Sequence, residues 1–386
     1  MSDSFLTMNK NAIHVVPVHS SSQKRDFIKL PWLLHANDPN WIAPLRRTVK
    51  RNLNVKKHPF YQHAELALWL AYKNGQLVGR IAGIIDHKYN EFHQTQGAFW
   101  GFFETEHCLE ITTALLAAVE HWAKEKKAVF LRGPMNPSIN YECGMQISAF
   151  DTKPFLMMPQ NPSFYPTLIE AAGHSKVMDM YAWLIRRKTV NLNKRLHAIQ
   201  QKLAQDENIV LRNFNMANYA QEIEIFVSIY NDAWQQNWGF VPMTTAETHY
   251  LAQELKSIIV PELTYFVMVN GEPAACAICL PNINQVLEKI PNGKLFPTGL
   301  MKLFTYLKVN KRNRQGRIPL LGVRKKFRHL QLGVLLYEKY TEVCPALDMS
   351  TVECSWILET NKPMNFGLSK VNAEHYKSYR IYEKLI

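Results

Sequence analysis

Apolar and polar positions along this chain follow two periods, one strand-like and one helical, and the same order of elements runs past twice. Ala12 to Val18 alternates as a strand does. Ser22 to His35 has helical spacing, and Pro39 to Asn52 reads as a basic loop and helix. Leu66 to Tyr72 and Leu77 to Asp86 are strand-like runs joined by Asn74-Gly75, a pair that accepts the positive φ angles of a type I′ turn. Phe99 to Phe103 is a further apolar strand. Ile111, Leu115, Val119 and Trp122 share one helical face, and Ala128 to Arg132 makes a short buried strand. After a loop rich in Gly, Pro and Asn (GPMNPSINYECG), Pro166 to Ala172 is helical and Val177 to Leu184 reads as the closing strand of a first half.

The pattern then restarts. Asn191 to Gln205 is a polar helical connector and Ile209 to Phe214 a strand. Glu222 to Trp234 and Ala246 to Ile259 are helices. Leu263 to Val269 and Pro273 to Leu280 form a hairpin about Asn270-Gly271. Asn282 to Arg317 is an insertion. Leu320 to Leu336, LLGVRKKFRHLQLGVLL, reads as a short strand, a basic turn and a helix that runs to about Cys344. A strand over Thr351 to Leu358, a helix near Pro363 to Val371 and a strand over Tyr379 to Ile386 complete the chain. Three anchors recur at offsets of about 200 residues: Asn74-Gly75 with Asn270-Gly271, Asn161 with Asn361, and Lys176 to Ile185 with Lys377 to Ile386. The expected organisation is therefore a duplicated α/β (α+β) chain. Residues 1–188 form one domain, 189–207 a connector and 208–386 a second domain.

Composition narrows the class. Hydrophobic residues make up 47% of the 386 residues, enough for a core in each half. No apolar run approaches the ~20 residues of a membrane span. MSDSFLTMNKN has no basic segment followed by an apolar one, so no secretory signal is expected. The six scattered cysteines suit a cytoplasmic protein. Cys276 and Cys279 form a lone CxxC inside a strand with no second pair or His pair nearby, so no metal is expected. The net charge of +13 calls for an anionic partner: cofactor phosphates, an anionic membrane surface or nucleic acid. Ten basic residues and no acidic one lie between Lys302 and Arg328. Such a run is a solvated face in most proteins; here it adjoins a strand-to-helix turn that can bind phosphate.

That turn holds Arg328-His-Leu-Gln331-Leu-Gly333. A helix N-terminus offers unpaired N–H groups and the positive end of a dipole, and Gly333 admits a ligand close to the backbone. The hexapeptide resembles the pyrophosphate loop of the GNAT acyl-CoA N-acyltransferases, with Gln331 in place of the first glycine. The order of elements resembles the GNAT fold twice over: two tandem GNAT-like domains, each a mixed, mostly antiparallel sheet flanked by helices. LRGPMNPSINYECGM, FDTKPFLMMPQNPSFYP, NWGFVPMT, ECSWILETN and YRIYEK resemble a bacterial YghO-like tandem-GNAT group, some members of which are ceramide synthases.

The resemblance implies acyl-CoA as co-substrate, held between Leu320–Val323 and Thr351–Leu358 in the second half. It places the thioester carbonyl near the N–H of Val323, Arg324 and Arg328 on phosphates, and the N–H groups from His329 through Gln331 and Gly333 to Val334 on the pyrophosphate. Asn361 matches the asparagine that contacts the CoA arm. In the first half the corresponding junction, FFETEHCLEI, lacks glycine and carries Glu104, Glu106 and Glu110, which would repel a pyrophosphate.

Amide formation from a thioester needs a neutral amine, hence a base. Glu353 ranks first, because a carboxylate on a buried strand needs a reason; a salt bridge to the basic turn is the plainer one. Glu142, in the Gly/Pro-punctuated loop, ranks second. The helix KPMNFGLSKV has Leu368 where the family often carries a tyrosine as acid; Tyr376, Tyr379 and Tyr382 are the nearby substitutes, with Tyr382 the candidate general acid, against the plain role of core or edge packing. Met157-Met158 and Phe155 are candidates for an acyl tunnel. LFPTGLMKLFTYLKV, if helical, puts Leu300, Leu303, Phe304 and Leu307 on one face, as core, lid or membrane-surface helix. The expected activity is transfer of an acyl group to a primary amine, of sphingoid type on the resemblance, by a cytoplasmic enzyme able to sit at the inner membrane surface. A tRNA-dependent aminoacyl transferase and a non-catalytic lipid-binding tandem protein are the alternatives; nucleic acid is not the expected partner.

Overall fold

The computed structural model describes residues 12–190, 194–309 and 314–386. The strands used below are β1 (Ile13–Pro17), β2 (Ala64–Lys73), β3 (Gln76–Asp86), β4 (Gly97–Thr105), β5 (Phe130–Gly133), β6 (Ser175–Arg186), β7 (Ile209–Asn213), β8 (Thr264–Val269), β9 (Glu272–Pro281), β10 (Arg314–Val323), β11 (Met349–Leu358) and β12 (Glu374–Leu385). The helices are α1 (Ser21–Leu34), α2 (Leu109–Glu125), α3 (Tyr219–Trp234), α4 (Thr245–Leu255), α5 (Thr298–Phe304), α6 (Gly333–Ala346) and α7 (Lys362–Lys370). Both Asn-Gly turns adopt the left-handed backbone their composition favours, with φ of 54° and 76° at Asn74 and Gly75 and 51° and 77° at Asn270 and Gly271.

Among the described residues one thirteen-stranded sheet runs through both halves, in the order β1-β2-β3-β4-β5-β12-β6-β11-β10-β9-β8-β7, with Met145–Gln146 as the extra member against β12. Here the structure departs from the sequence reading. Val177 to Leu184 does not close the first half. The strand it belongs to, β6, pairs with β11 of the second half, and the final strand β12 pairs with β5 of the first. The halves exchange their last strands, so a cut between residues 188 and 208 divides the sequence repeat but not the sheet.

The exchange has a physical centre. β6 and β12 lie antiparallel, with Arg380 opposite Asp179. These two positions are also repeat equivalents, 201 residues apart as 380 less 179. The pseudo-twofold relating the halves therefore passes through this pair. Its two sides are held by a two-pronged ion pair, Arg380 Nε to Asp179 Oδ1 at 2.8 Å and Nη2 to Oδ2 at 3.1 Å. Around it β12 buries Tyr379, Ile381 and Tyr382 completely, an isoleucine alone being worth about 2 kcal/mol of apolar burial.

Two neighbouring pairs run parallel, β4 with β5 and β10 with β11. Each pairs over only a few residues and then splays, which makes a fork in each half. β10 is longer than the sequence pattern suggests. It begins at Arg314, inside the stretch assigned to the insertion, because Arg314 and Arg317 are buried on it. The basic run is thus not one solvated face; Lys311 and Arg312 lie outside the described residues. The two cysteines of the CxxC stand an odd number of positions apart on β9, and Cys276 and Cys279 enter different core clusters.

Candidate active site

The fork between β10 and β11 opens where their register ends, at Ile318 opposite Cys354. Pro319 follows at once, and a residue without an N–H is placed where the ladder stops. From there a groove of about 760 Å³ runs between the diverging strands to the start of α6. Gly322 forms part of its wall and lets the Trp234 ring lie against the strand: a Cβ there would sit 2.1 Å from the indole.

The groove brings together most of the residues predicted for a phosphorylated donor. Val323, Arg328, Gln331, Gly333, Val334 and Asn361 all line it. Arg324 and His329 do not. Arg324 turns to α3, where its guanidinium donates to Ser228 Oγ at 2.9 Å, and His329 is exposed. Arg328 reaches α3 as well, through the Ala233 carbonyl. Asn361 caps α7, its side chain accepting from Met364 N–H at 3.3 Å. No side chain caps α6, and its second N–H, that of Val334, turns back to the Gln331 carbonyl at 3.0 Å.

Gln331 explains its own departure from the family pattern. It sits in the left-handed region, with φ 56° and ψ 31°, the conformation for which glycine is usual. The turn has kept its shape and lost the residue that adopts it freely. Gln331→Gly is expected to leave ligand binding intact and raise stability by up to about 1 kcal/mol in urea denaturation.

At the fork's apex lies a buried polar cluster. Glu353 is fully buried; Ser355 Oγ donates to its Oε1 at 2.6 Å, and the Tyr376 hydroxyl donates to its Oε2. Arg317 lies 3.7 Å from Oε1, donates from Nε to Ser355 Oγ at 2.9 Å, and reaches the carbonyls of Leu156 and Ser355. Burial pushes the Glu353 carboxyl up, and this outweighs Arg317, Ser355 and Tyr376, which favour its charged form. Glu142 is half-buried in a separate cavity on the first-half side; burial raises it too, against the pull of Arg317. Glu353 thus has an ion-pair partner, though it is Arg317 of β10 and not the basic turn, and it lies beneath the groove.

Tyr382 is not brought to this cluster. It is fully buried in the first half's core, and its hydroxyl donates to Glu170 at 3.0 Å. The tyrosine that touches Glu353 is Tyr376. A register shift between His375 and Lys377 leaves Tyr376 as an extra residue on β12, a bulge that re-aims one side chain. Arg317, Ser355 and Trp356 escaped the sequence reading; Tyr376 stood there among three substitute tyrosines, with Tyr382 preferred to it. The period-two spacing of Glu353 and Ser355 carried a signal for the serine, whereas a bulge leaves none.

A second cavity, of about 220 Å³, adjoins the groove and shares Trp234, Trp238, Pro319, Leu320 and Trp356 with it. α3, α4 and Met180 wall it, and Met157 lines it. Met158 instead lies against the Ser355 hydroxyl, and Phe155 packs in the central core. The indole N–H of Trp356 is buried and has no hydrogen-bond partner.

The first half's fork is bridged across its strands, beside the cavity that holds Glu142. Asn136 Oδ1 accepts from Phe102 N–H at 2.6 Å, and a Cβ on Gly101 would lie 1.6 Å from the Met135 carbonyl oxygen. The Met135–Asn136 ribbon thus packs directly on β4. Glu104 is not a free repulsive charge either. His35 (2.7 Å) and Arg80 (3.5 Å) pair with it and Tyr165 donates to it at 2.9 Å; burial pushes its carboxyl up, but these partners hold it below the usual range.

Two mostly antiparallel halves, each forked by a parallel strand pair, with a strand-to-helix turn at the end of one fork, define a tandem GNAT fold. The solved tandem GNAT protein from the clavulanic acid biosynthesis pathway shares it, at TM-score 0.56 and 13% identity over 97% of this chain and 98% of that one. A GCN5-related N-acetyltransferase from Sphaerobacter thermophilus does so at 0.52 and 13% identity over 97% and 95%. The sequence matches no family model. It is 36% identical over 381 residues to the bacterial ceramide synthase of Caulobacter vibrioides, covering 97% of this chain and 98% of that protein. It is equally 36% identical to protein YghO of Escherichia coli, over 93% and 92%. The chain belongs to the family of these two proteins.

Proposed function

We propose that the protein transfers an acyl group from acyl-CoA, bound in the second-half groove, to the primary amine of a long-chain acceptor. The observation that carries the reading is the open β10–β11 fork with a buried carboxylate at its apex, where the first-half fork is bridged by its own chain. From Val323 to Ile318 the strand spans about 16 Å, room for an extended pantetheine arm. The thioester then falls at Ile318–Pro319, not at Val323, which lies beside the pyrophosphate end. Glu353, acting through Ser355, takes the amine proton. The unpartnered Trp356 N–H is the donor available to the oxyanion. The adjoining apolar cavity takes the acyl chain.

A sphingoid-type acceptor is supported by the name of the Caulobacter relative. An apolar acceptor also fits α5 and the residues before it, where Phe296, Met301 and Phe304 are 67%, 71% and 59% exposed. That segment is not a single amphipathic face: α5 ends at Phe304 in a wider turn, Thr305–Val309, with Leu300 outward and Leu303 and Leu307 half-buried. The reading places it on an anionic membrane surface.

The test is calorimetric titration with long-chain acyl-CoA, followed by mass spectrometry of the amide formed from a long-chain amine. One-to-one binding competed by CoA, and an amide product, are expected. Binding of aminoacyl-tRNA with none of acyl-CoA would overturn the reading.

A further inference from the structure

The amine loses a proton when it becomes an amide, and Glu353 is sealed from solvent. We infer that this proton leaves along β11, from Ser355 through Glu353 to Tyr376, into a polar basin on the far side of the carboxylate. The inference rests on the proposed acyl transfer and concerns how that site is reset between turnovers.

The three groups are hydrogen-bonded in series. Ser355 lines the groove. Its hydroxyl has one hydrogen and two lone pairs. Glu353 takes the hydrogen, Arg317 Nε fills one lone pair, and the second lone pair, beside the Met158 sulfur at 3.3 Å, is the one the amine would use. Glu353 then uses its other oxygen for Tyr376. Tyr376 lines an open basin of about 560 Å³ together with Thr351, Gln315, Asp151 and Glu374. Ser355, Glu353 and Thr351 are alternate residues of one strand, so they share a face and step along it by about 7 Å each. The bulge at Tyr376 is what supplies the hydroxyl on the second carboxylate oxygen and joins it to the basin.

The proton count closes. As the amine nitrogen bonds to the thioester carbon, its proton passes to Ser355 Oγ while the serine hydrogen passes to Glu353 Oε1. The C–S bond breaks and its electron pair leaves on the CoA sulfur. The carboxyl then turns to carry its proton to the side of Tyr376, the phenol turns its own hydrogen from Oε2 to the basin, and the carboxyl proton moves to Oη as the phenol hydrogen passes to water. Arg317, Lys377 and Tyr379 are the other titratable groups around Glu353. Lys377 is fully buried, with its ammonium bonded to the Thr152 carbonyl at 3.0 Å, so it is not itself in the series.

Tyr376→Phe tests the path, read by rapid-quench kinetics with palmitoyl-CoA and sphinganine. Acyl-CoA affinity, and the first turnover at a pH above the acid limb, should match wild type, since Glu353 can still take one proton; the acid limb itself moves up with the loss of the phenol donor. The steady-state rate should fall by about tenfold or more across the pH range and recover with added imidazole. Ser355→Ala, by contrast, should slow the first turnover itself. If Tyr376 merely stabilises the carboxylate, the variant would keep its plateau rate, shift the acid limb upward and ignore imidazole; that outcome, or unchanged turnover, overturns the path and leaves the acyl-transfer reading standing. Wild-type protein that binds acyl-CoA and forms no amide would overturn both. Should Tyr376→Phe fail to fold, Ser355→Ala with an unslowed first turnover overturns the path on its own.

Discussion

Glu353→Gln is expected to lower turnover by about 10²–10⁴-fold, the range that a positioned general base supplies, with acyl-CoA affinity unchanged. The carboxylate touches the fork through Ser355 and does not line the phosphate end of the groove, so binding and chemistry should separate. The pH profile is the sharper readout. Burial holds the carboxyl above its ordinary value, and only the charged form can accept a proton. The wild-type rate should therefore rise with pH along an acid limb displaced above the usual carboxylate range, and the glutamine variant should lack that limb. Stability runs the opposite way. Between the ordinary and the raised value the folded protein holds a proton that the unfolded chain has lost, so wild-type stability falls as pH rises through that window, and the variant's should not. Gln keeps acceptor and donor atoms for Ser355 and Tyr376, and Arg317 keeps the carbonyls of Leu156 and Ser355. The loss in urea denaturation should thus stay at about 1–3 kcal/mol, below that of a broken buried ion pair left bare. Equal turnover in the two proteins would remove Glu353 from the chemistry.

The periodicity along the chain carried the elements well, because each is amphipathic by itself and needs no partner to be recognised. It could not carry the exchange of β6 and β12. Those strands are repeat equivalents with similar patterns, and nothing local tells a strand which neighbour it will pair with. The repeat offset did contain the axis, since Asp179 and Arg380 are equivalents that face each other, but opposite charges at equivalent positions are visible as a contact only after folding. The strand-to-helix turn was legible as a motif; that Gln331 keeps a glycine's backbone was not. In the first half, the contact of Met135–Asn136 with β4 and the pairing of Glu104 with His35 and Arg80 had no local signature, and Glu106 and Glu110 remain exposed as their sequence suggests. Arg317 was hidden in a run of basic residues, where burial rather than sequence distinguishes it from its neighbours.

Gly333→Val is expected to weaken acyl-CoA binding by about 100-fold, close to 2.7 kcal/mol, with folding intact. The structure makes this a clean experiment. Gly333 is the first residue of α6, with no positive φ to protect, and a Cβ added there would meet nothing closer than Leu321 Cδ2 at 3.8 Å. The fold therefore has no need of the glycine. Any cost of the larger side chain falls on whatever occupies the groove, where the valine methyls would hold a pyrophosphate away from the N–H groups of the helix N-terminus. Gly333→Ala adds one methyl in the same direction and should cost about tenfold or less. A graded loss across Gly, Ala and Val in calorimetry, at constant melting temperature, would place the phosphates at this turn. The contrast with Gly322 sharpens the test, because a side chain there strikes the Trp234 ring and should disturb folding and binding together. Undiminished affinity in Gly333→Val would move the donor's phosphates elsewhere, and with them the assignment of Arg328, Gln331 and Val334.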